Sequence, residues 1–337
     1  MIEIKDDALV FAFPEVHPEA RLRIDFQRTL RIPDDGKDYP LPSGLGRFPI
    51  RHVDDHVGAV PKDWLEHGGV MLPMYQSEAL WLNFNSKPIQ GHRTSYPFAI
   101  KVAAGKINAV SGGSWTDRLH RNPQDYMVSP KQPWLDGYCV EKGIIRQFVA
   151  MPLGSGYSAE EQITGKGDWG GLQIIVYPMK RKVFENRFPI VSEVPEIKAS
   201  LRSSRIAEPQ MGYAPGGRMR QKILKDPFDL YDWELDEKSR CFVHIANSLV
   251  WKAITGEAPP TVPFTGKEYT QHDLPWFKYY SDNSSALKGS SRLSKLKSIF
   301  AIGKHKGYAP IPENESFHVE NIIELRKGLR EGQVREG

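Results

Sequence analysis

The sequence of 337 residues has only two cysteines, Cys139 and Cys241, and they lie far apart in the chain. So few cysteines argue against a disulfide framework and are typical of a reducing compartment. No apolar run approaches the roughly 20 residues that a membrane-spanning helix needs. The first seven residues carry acids where a signal peptide would have a basic start and an apolar run. These absences predict a cytoplasmic protein without a membrane span.

The sequence also lacks an excess of one charge and lacks the common cofactor motifs. Its formal net charge is +4, from 45 basic and 41 acidic residues. A net charge this small gives no strong overall electrostatic attraction to nucleic acid or to a membrane. There is no P-loop, dinucleotide fingerprint, nucleophile elbow or zinc-ligand spacing, so we predict no cofactor. What is present, 11% aromatic residues and 26 prolines, is typical of a folded, loop-rich globular protein.

Strand patterns dominate the first half of the chain. Apolar and polar residues alternate from Leu22 to Ile32, which predicts a strand with one face in water. Two uniformly apolar runs, Ile144 to Leu153 and Leu172 to Met179, predict strands that are covered on both faces. We expect these two strands to lie side by side at the centre of a sheet, with the glycine-rich bend between them at its rim.

Helical patterns come mainly late in the chain. Asn247 or Ser248 can cap a helix that Gly256 ends, and residues 284–302 and 315–329 carry apolar side chains at helical spacing. The order predicts an α+β protein with a mostly antiparallel β-sheet, or barrel-like sheets, and helices concentrated in the C-terminal third. Prolines near residue 190 predict a β-rich domain, residues 1–190, and an α+β region packed on it, residues 191–337. One continuous domain is the alternative.

The glycine-rich bend is the first candidate anion-binding site. It enters a helical segment in which Ser158 and Glu161 have capping-box spacing. A glycine loop at a helix start can aim several backbone N–H groups at a phosphate or carboxylate. The alternative is a strand-to-helix turn that uses glycine for positive φ. The candidate residues are Gly154, Ser155, Gly156 and Ser158.

A second candidate anion-binding site follows the turn at Pro215-Gly216. On an extended chain, alternate side chains project from one face, and arginine binds phosphate or carboxylate through two parallel hydrogen bonds. The alternative is a sheet edge that charge protects from pairing. The candidate residues are Arg218, Arg220 and Lys222.

No local motif identifies catalytic or metal-binding residues. Glu78, Glu141 and His244 are acid–base candidates, but the sequence does not fix how far apart they lie, and a lone histidine in a strand is more often a core residue. His52 and His56 would share a face of a helix and can then bind a metal. Nearby glycine and proline disfavour that helix, so we interpret the segment as a polar loop and predict no metal.

A basic segment lies near the C-terminus. No acid occurs between Asp282 and Glu313, and the apolar residues there predict a basic amphipathic helix over residues 288–306. Such a helix can bind an acidic partner, anionic lipid or nucleic acid. More commonly it packs its apolar side on its own domain and leaves the cations in water. The cations are Lys288, Arg292, Lys295, Lys297, Lys304 and Lys306.

Four segments resemble a family of bacterial cytosolic proteins that has no assigned activity. The resemblance covers most of the chain, from about Arg21 to Tyr280. It implies a bacterial cytosolic origin and assigns no functional residue. The segments are Leu65 to Leu82, Gly137 to Tyr157, Gly171 to Lys180 and Leu274 to Tyr280.

The sequence therefore supports three functional hypotheses. The first is a binding or adaptor protein that recognises a small anionic ligand or a protein partner. The second is a hydrolase or transferase that acts on a phosphorylated or carboxylated small molecule, with catalytic groups assembled from distant strands. The third is a structural or assembly protein. An enzyme requires an acid or base with a shifted pKa beside an anion-binding group in one cleft.

Overall fold

The structure is a computed structural model that describes residues 1–92, 94–190, 210–279, 285–308, 315–316, 319 and 321–325. Strands make up most of the regular structure in these residues. The strands are β1 Ile2–Ile4, β2 Ala8–Ala12, β3 Arg21–Thr29, β4 Asp38–Tyr39, β5 Leu41–Pro42, β6 Gly44–Arg47, β7 Arg51–His52, β8 Val70–Met74, β9 Ala79–Asn85, β10 Phe98–Ala104, β11 Ile107–Asn108, β12 Met127–Ser129, β13 Trp134–Leu135, β14 Gly137–Glu141, β15 Ile144–Pro152, β16 Leu172–Pro178, β17 Gln210–Arg220, β18 Ser239–Asn247, β19 Trp276–Tyr279 and β20 Ile322–Leu325.

The helices are short and lie between or after these strands. Three of the six α-helices in the described residues fall in the C-terminal third of the chain. The α-helices are α1 Lys62–His67, α2 Ala159–Thr164, α3 Arg181–Arg187, α4 Ser248–Thr255, α5 Gly266–Gln271 and α6 Ile299–His305, and the 3₁₀ turns are Asp54–His56, Leu230–Asp232 and Leu293–Lys295.

Seventeen strands form one large sheet, and β5, β19 and β20 form a second, small one. The long path of paired strands runs β1–β2–β3–β9–β15–β17–β18–β16–β10. Among the described pairings only β4 with β17, β8 with β18 and β19 with β20 are parallel. The pairings do not close into a barrel. The prediction of an α+β protein with a mostly antiparallel sheet is confirmed.

The two apolar strands are both central but are not neighbours. Strand β15 pairs with β14, β17 and β9, whereas β16 pairs with β10 and β18. The predicted burial is confirmed for β16, in which every residue is buried. The predicted side-by-side pairing is wrong, because an apolar run determines how deeply a strand is buried but not which strand it pairs with.

Strand β3 shows why the alternating pattern is informative. Its residues Leu22, Ile24 and Phe26 are completely buried, in the main core of the protein. Strand β3 pairs with β2, β6 and β9, so it lies in the interior of the sheet. Burying a side chain of this size contributes about 1.5–3 kcal/mol. The pattern therefore predicts which side chains of β3 face the core. The expectation that the opposite face lies in water is wrong, because Asp25 and Thr29 on that face are also buried.

The C-terminal predictions were partly wrong. Helix α4 is confirmed, because the side chain of Asn247 accepts from the Leu249 N–H and Gly256 ends the helix in the left-handed conformation. Residues 285–298 are mostly irregular, with one 3₁₀ turn before α6, and the N–H groups of Leu287 and Ser290 donate to Ile223 and Cys139, outside the segment. Residues 322–325 are a strand, and most of the predicted helix 315–329 lies outside the described residues.

The predicted domain boundary lies beside residues 191–209, which are outside the described part of the chain. Strands from both sides of it pair with each other: β17 pairs with β15, and β18 with β16. The division into two regions stays a prediction. Within the described residues, none of the helices is long and apolar enough to cross a membrane.

A candidate ligand-binding cleft at Arg28 and Glu78

The candidate site is organised around a buried ion pair between β3 and the start of β9. Arg28 is 7% exposed and Glu78 is 2% exposed. The chain turns into β9 through Ser77, which has a φ of 66°, and this turn directs Glu78 toward β3. Glu78 is also tied to the neighbouring strand β15, because its carbonyl accepts from the Ala150 N–H. The backbone of the sheet therefore holds both charged groups in place.

The geometry of the pair is that of a charge-assisted hydrogen bond. Nε of Arg28 donates to Oε1 of Glu78 at 2.7 Å, and Nη2 lies 2.7 Å from the same oxygen. Oε2 of Glu78 accepts from the backbone N–H of Tyr75 at 2.9 Å. The guanidinium also lies over the ring of Phe48, 5.7 Å from its centroid. Both carboxylate oxygens therefore have a donor in the folded protein.

Residues 258–265, here called the strap, cross over this ion pair. The strap is irregular and contains prolines 259, 260 and 263, which favour an extended backbone and have no N–H to donate. Nη1 of Arg28 donates to the Thr261 hydroxyl at 3.0 Å, and Nη2 donates to the Thr261 carbonyl at 2.5 Å. The Tyr75 hydroxyl donates to the Pro260 carbonyl at 3.0 Å. These three bonds hold the strap to the sheet.

A cleft remains between the strap and the sheet. Its volume is about 120 Å³, which is enough for several water molecules. A guanidinium has five N–H groups, and those of Arg28 donate three hydrogen bonds to described residues. The second N–H of Nη1 has no acceptor among the described residues. The lining residues are Arg28, Thr29, Leu45, Glu78, Thr261, Val262, Pro263 and Phe264.

Burial also changes the acidity of Glu78. Its removal from water raises the pKa of the carboxyl to about 7, although Arg28 and the Tyr75 N–H act in the opposite direction. Glu78 therefore changes its protonation state near neutral pH. A group of this kind can donate or accept a proton from a molecule in the cleft.

No protein-family model, curated protein or solved structure matches this chain. Residue roles therefore cannot be transferred from a relative. The resemblance to a bacterial cytosolic family stays a prediction, and the chemistry of the cleft follows from its own distances, burial and charges.

The glycine-rich bend directs its N–H groups at a carboxylate of its own. The N–H of Gly156 donates to Oε1 of Glu161 at 2.8 Å, and the N–H of Ser158 donates to Oε2 at 3.0 Å. The Glu161 N–H in turn donates to the Ser158 hydroxyl, so the predicted capping box is present. The Ser155 hydroxyl donates to the carbonyl of Pro152. Glu161 therefore takes the position that an external anion would occupy near Gly154.

The arginine edge is also engaged by internal acids. Arg218 donates to both oxygens of Glu141, at 2.8 and 3.2 Å, and to Asp38 at 2.7 Å. The hydrogen bond from Arg218 lowers the pKa of Glu141, which keeps that carboxylate ionised. Arg220 and Lys222 are exposed. The structure thus separates Glu141 from Glu78 and pairs it with one of the predicted anion-binding arginines.

His244 has the environment of a core histidine. Its ring stacks on Trp64 with centroids 4.7 Å apart, and its Nε2 lies 3.0 Å from the carbonyl oxygen of Gly68. Burial lowers the pKa of His244 to about 4, so the ring is neutral at pH 7. Burial also raises the pKa of Cys139 and Cys241 to about 12, which makes both thiols poor nucleophiles.

The two histidines proposed as metal ligands lie in different elements. His52 ends strand β7, and His56 ends the 3₁₀ turn that follows, so the helical face assumed for them is not formed. Among the described residues, no group of three or more His, Cys, Asp or Glu side chains is placed to hold a metal ion.

Glu78 is among the site residues predicted from the sequence, whereas Arg28 and the strap are not. A signal for Arg28 was present: positions 22, 24, 26, 30 and 32 of the alternating pattern are apolar, and position 28 has the same phase. A charged residue at an inward-facing position needs a buried partner. No comparable signal identifies Thr261, because its contact with Arg28 spans 233 residues.

Proposed function

We propose that this protein binds a small anionic ligand, a monocarboxylate or an ion of phosphate size, in the cleft at Arg28 and Glu78. The observation that carries the proposal is a buried guanidinium that lines a cleft and has an N–H without a described acceptor. This N–H faces a cleft with room for water, and an anion oxygen can replace that water with a stronger, charge-assisted hydrogen bond.

The strap supports this choice of ligand. Thr261 presents one oxygen to Nη1 and one to Nη2, which is the arrangement that the two oxygens of a carboxylate adopt on arginine. An anion that enters the cleft can bond to the remaining N–H of Nη1 and can displace the Thr261 hydroxyl to gain a second bond. The strap thus holds the guanidinium in a geometry that suits the ligand.

The size of the cleft limits the ligand. Pockets for drug-sized molecules have volumes of about 300–1,000 Å³, well above the volume of this cleft. Acetate, lactate and inorganic phosphate are therefore suitable probes.

The proposal is tested by thermal unfolding with these probes and with a matched pair of arginine variants. At a ligand concentration of 100 Kd, binding to the native state stabilises it by about 2.7 kcal/mol, a shift in Tm of roughly 4 °C for a chain of this size. We expect R28K to lose the shift, because lysine cannot supply two parallel N–H donors. R218K, which changes another paired arginine of the same sheet, is expected to keep it.

Two outcomes would contradict the proposal. One is that none of the probes raises the Tm of the wild-type protein. The other is that R28K and R218K respond to the probes equally. T261V, which lacks the competing hydroxyl, is expected to bind at least as tightly as the wild type, so weaker binding by T261V would exclude displacement of Thr261.

A second candidate function is acid–base catalysis in the same cleft. It is favoured by the combination of an anion-binding guanidinium with an adjacent carboxyl whose pKa is raised to about 7. In that case the bound anion is converted, and E78Q binds the ligand but leaves it unchanged. NMR of each ligand after incubation with wild type, E78Q and the control E141Q distinguishes a binding protein from an enzyme.

A further inference from the structure

The protein carries a concentration of positive charge that lies apart from the cleft. Residues 283–312 contain six lysines and arginines and no acid. Six charges exceed the formal net charge of +4, so the rest of the chain has a net charge of −2. The excess positive charge of the whole protein is therefore confined to this one segment.

The segment is fixed on the sheet with its apolar side inward. The buried apolar side chains are Leu293, Leu296, Ile299 and Ile302. The N–H of Leu287 donates to the carbonyl of Ile223, and the N–H of Ser290 donates to the carbonyl of Cys139. All six cations are exposed. They form what we call the basic stripe: Lys288, Arg292, Lys295, Lys297, Lys304 and Lys306.

The acids that approach the stripe are bound by other groups. Glu141, which the backbone of Gly289 packs against, is held by Arg218. Asp34, whose carboxylate accepts from the Ser298 hydroxyl, is paired with Arg146. Within the described part of the chain, none of the six cations forms an ion pair, and the ammonium of Lys306 donates to the carbonyl of Ser155.

We propose that the basic stripe binds the phosphate backbone of single-stranded nucleic acid. A row of cations along one continuous segment complements a linear polyanion, and the acids Glu141 and Asp34 that approach it are each paired with an arginine outside it. One exposed ring at the end of the row, and one half-buried ring within it, can stack on unpaired bases. Tyr308 is 63% exposed, and Phe300 is half-buried between Lys297 and Lys304 in the chain.

Two other anionic partners fit this surface less well. Insertion of an amphipathic segment into a lipid surface needs a free apolar face, and the apolar side chains of this segment are already packed in the protein. Protein interfaces are depleted in lysine and need a desolvated apolar centre, which a row of lysines does not provide. Nucleic acid requires only the cations and stacking rings that are exposed.

Fluorescence anisotropy with a labelled single-stranded oligonucleotide tests the proposal. With six phosphate contacts, the slope of log affinity against log salt is about −4, so affinity falls roughly 300-fold between 50 and 200 mM salt. In K295Q/K297Q/K304Q we expect a slope of about −2. Y308L should weaken binding by about fivefold or more without changing the slope, because stacking does not release counterions.

The matched control removes three exposed lysines elsewhere on the protein, in K62Q/K182Q/K252Q. Both triple variants lose the same charge, and only the stripe variant is expected to lose affinity. Equal losses would overturn the proposal, because they would reflect net charge alone. Equally strong binding to anionic phospholipid vesicles, or equal competition by poly-glutamate, would overturn the choice of nucleic acid.

Discussion

At the scale of single residues, the most informative groups are two buried carboxyls, Glu78 and Asp136. Glu78 lies beside a cleft and an arginine, whereas Asp136 is 3% exposed and is bonded to the side chain of Gln221. Burial raises the pKa of each to about 7. The raised pKa thus has a proposed role in ligand binding at Glu78, whereas at Asp136 it only lowers the stability of the protein.

Anion binding in the cleft should depend on pH through Glu78. An added anion competes with the ionised carboxylate for Arg28, so binding favours the protonated form of Glu78 and takes up a proton. Above pH 7 we expect the affinity to fall by up to about tenfold per pH unit. For acetate or lactate, which stay ionised throughout this range, the affinity of E78Q should be independent of pH between 6 and 8. Calorimetric titrations at pH 6, 7 and 8 check both expectations, and a flat profile for the wild type would contradict this linkage.

Asp136 should make the protein less stable as the pH rises. Its folded pKa of about 7 exceeds the unfolded value, so the native state holds a proton that the unfolded state has lost, and the free energy of unfolding falls between about pH 4 and pH 7. In D136N the Gln221 bond can be kept while the carboxyl is removed. We expect D136N to exceed the wild type by about 2–4 kcal/mol at pH 8 in urea unfolding. The exposed D168N is the control, and parallel pH profiles for D136N and wild type would exclude this role.

At the scale of elements, the segment that carries the basic stripe makes a close backbone contact with β14 at Gly289. Gly289 has a φ of 81°, and a Cβ there would lie 2.5 Å from the backbone of Glu141. Gly154 has a φ of 79° but open space around it. The two glycines therefore share a conformation and differ in packing.

This difference predicts the effect of adding a methyl group at each position. G154A is expected to cost about 1–2 kcal/mol of unfolding free energy, because only the left-handed conformation is penalised. G289A adds a backbone clash and should cost about 2–5 kcal/mol in total. Urea unfolding of both variants measures the difference, and equal losses would show that the segment can move away from the sheet without cost.

Local elements were predictable where the signal lies within a few residues. The cap at Asn247 and the end at Gly256 define α4, and the capping box at Ser158 defines the start of α2. Residues 285–298 were predicted as a helix from apolar side chains at helical spacing. The prediction was wrong because such side chains can also reach the core from an irregular chain. In this segment the N–H groups of Leu287 and Ser290 donate to carbonyls outside it, those of Ile223 and Cys139, instead of to a helical turn.

At the scale of the whole molecule, the sequence predicted the class of fold but not the strand partners. Alternation in β3 gave the correct core-facing side chains, but its other face is not in water, since Asp25 and Thr29 are buried. The apolar run of β16 gave the correct burial, and the predicted neighbour of β16 was wrong because pairing depends on contacts far apart in sequence. The candidate site also depends on contacts between residues that are far apart in sequence. Arg28 contacts Glu78 over 50 residues and Thr261 over 233 residues. Only Arg28, by its phase in the strand, left a local signal.

The central claim is that the cleft at Arg28 and Glu78 binds a small anion. The most direct measurement is a crystal structure of the wild-type protein with the anion that gives the largest thermal shift. We predict a ligand oxygen about 3 Å from Nη1 of Arg28, with Thr261 displaced or sharing that nitrogen. A cleft that contains only water, with the anion at the glycine bend or at Arg220 and Lys222, would contradict the claim.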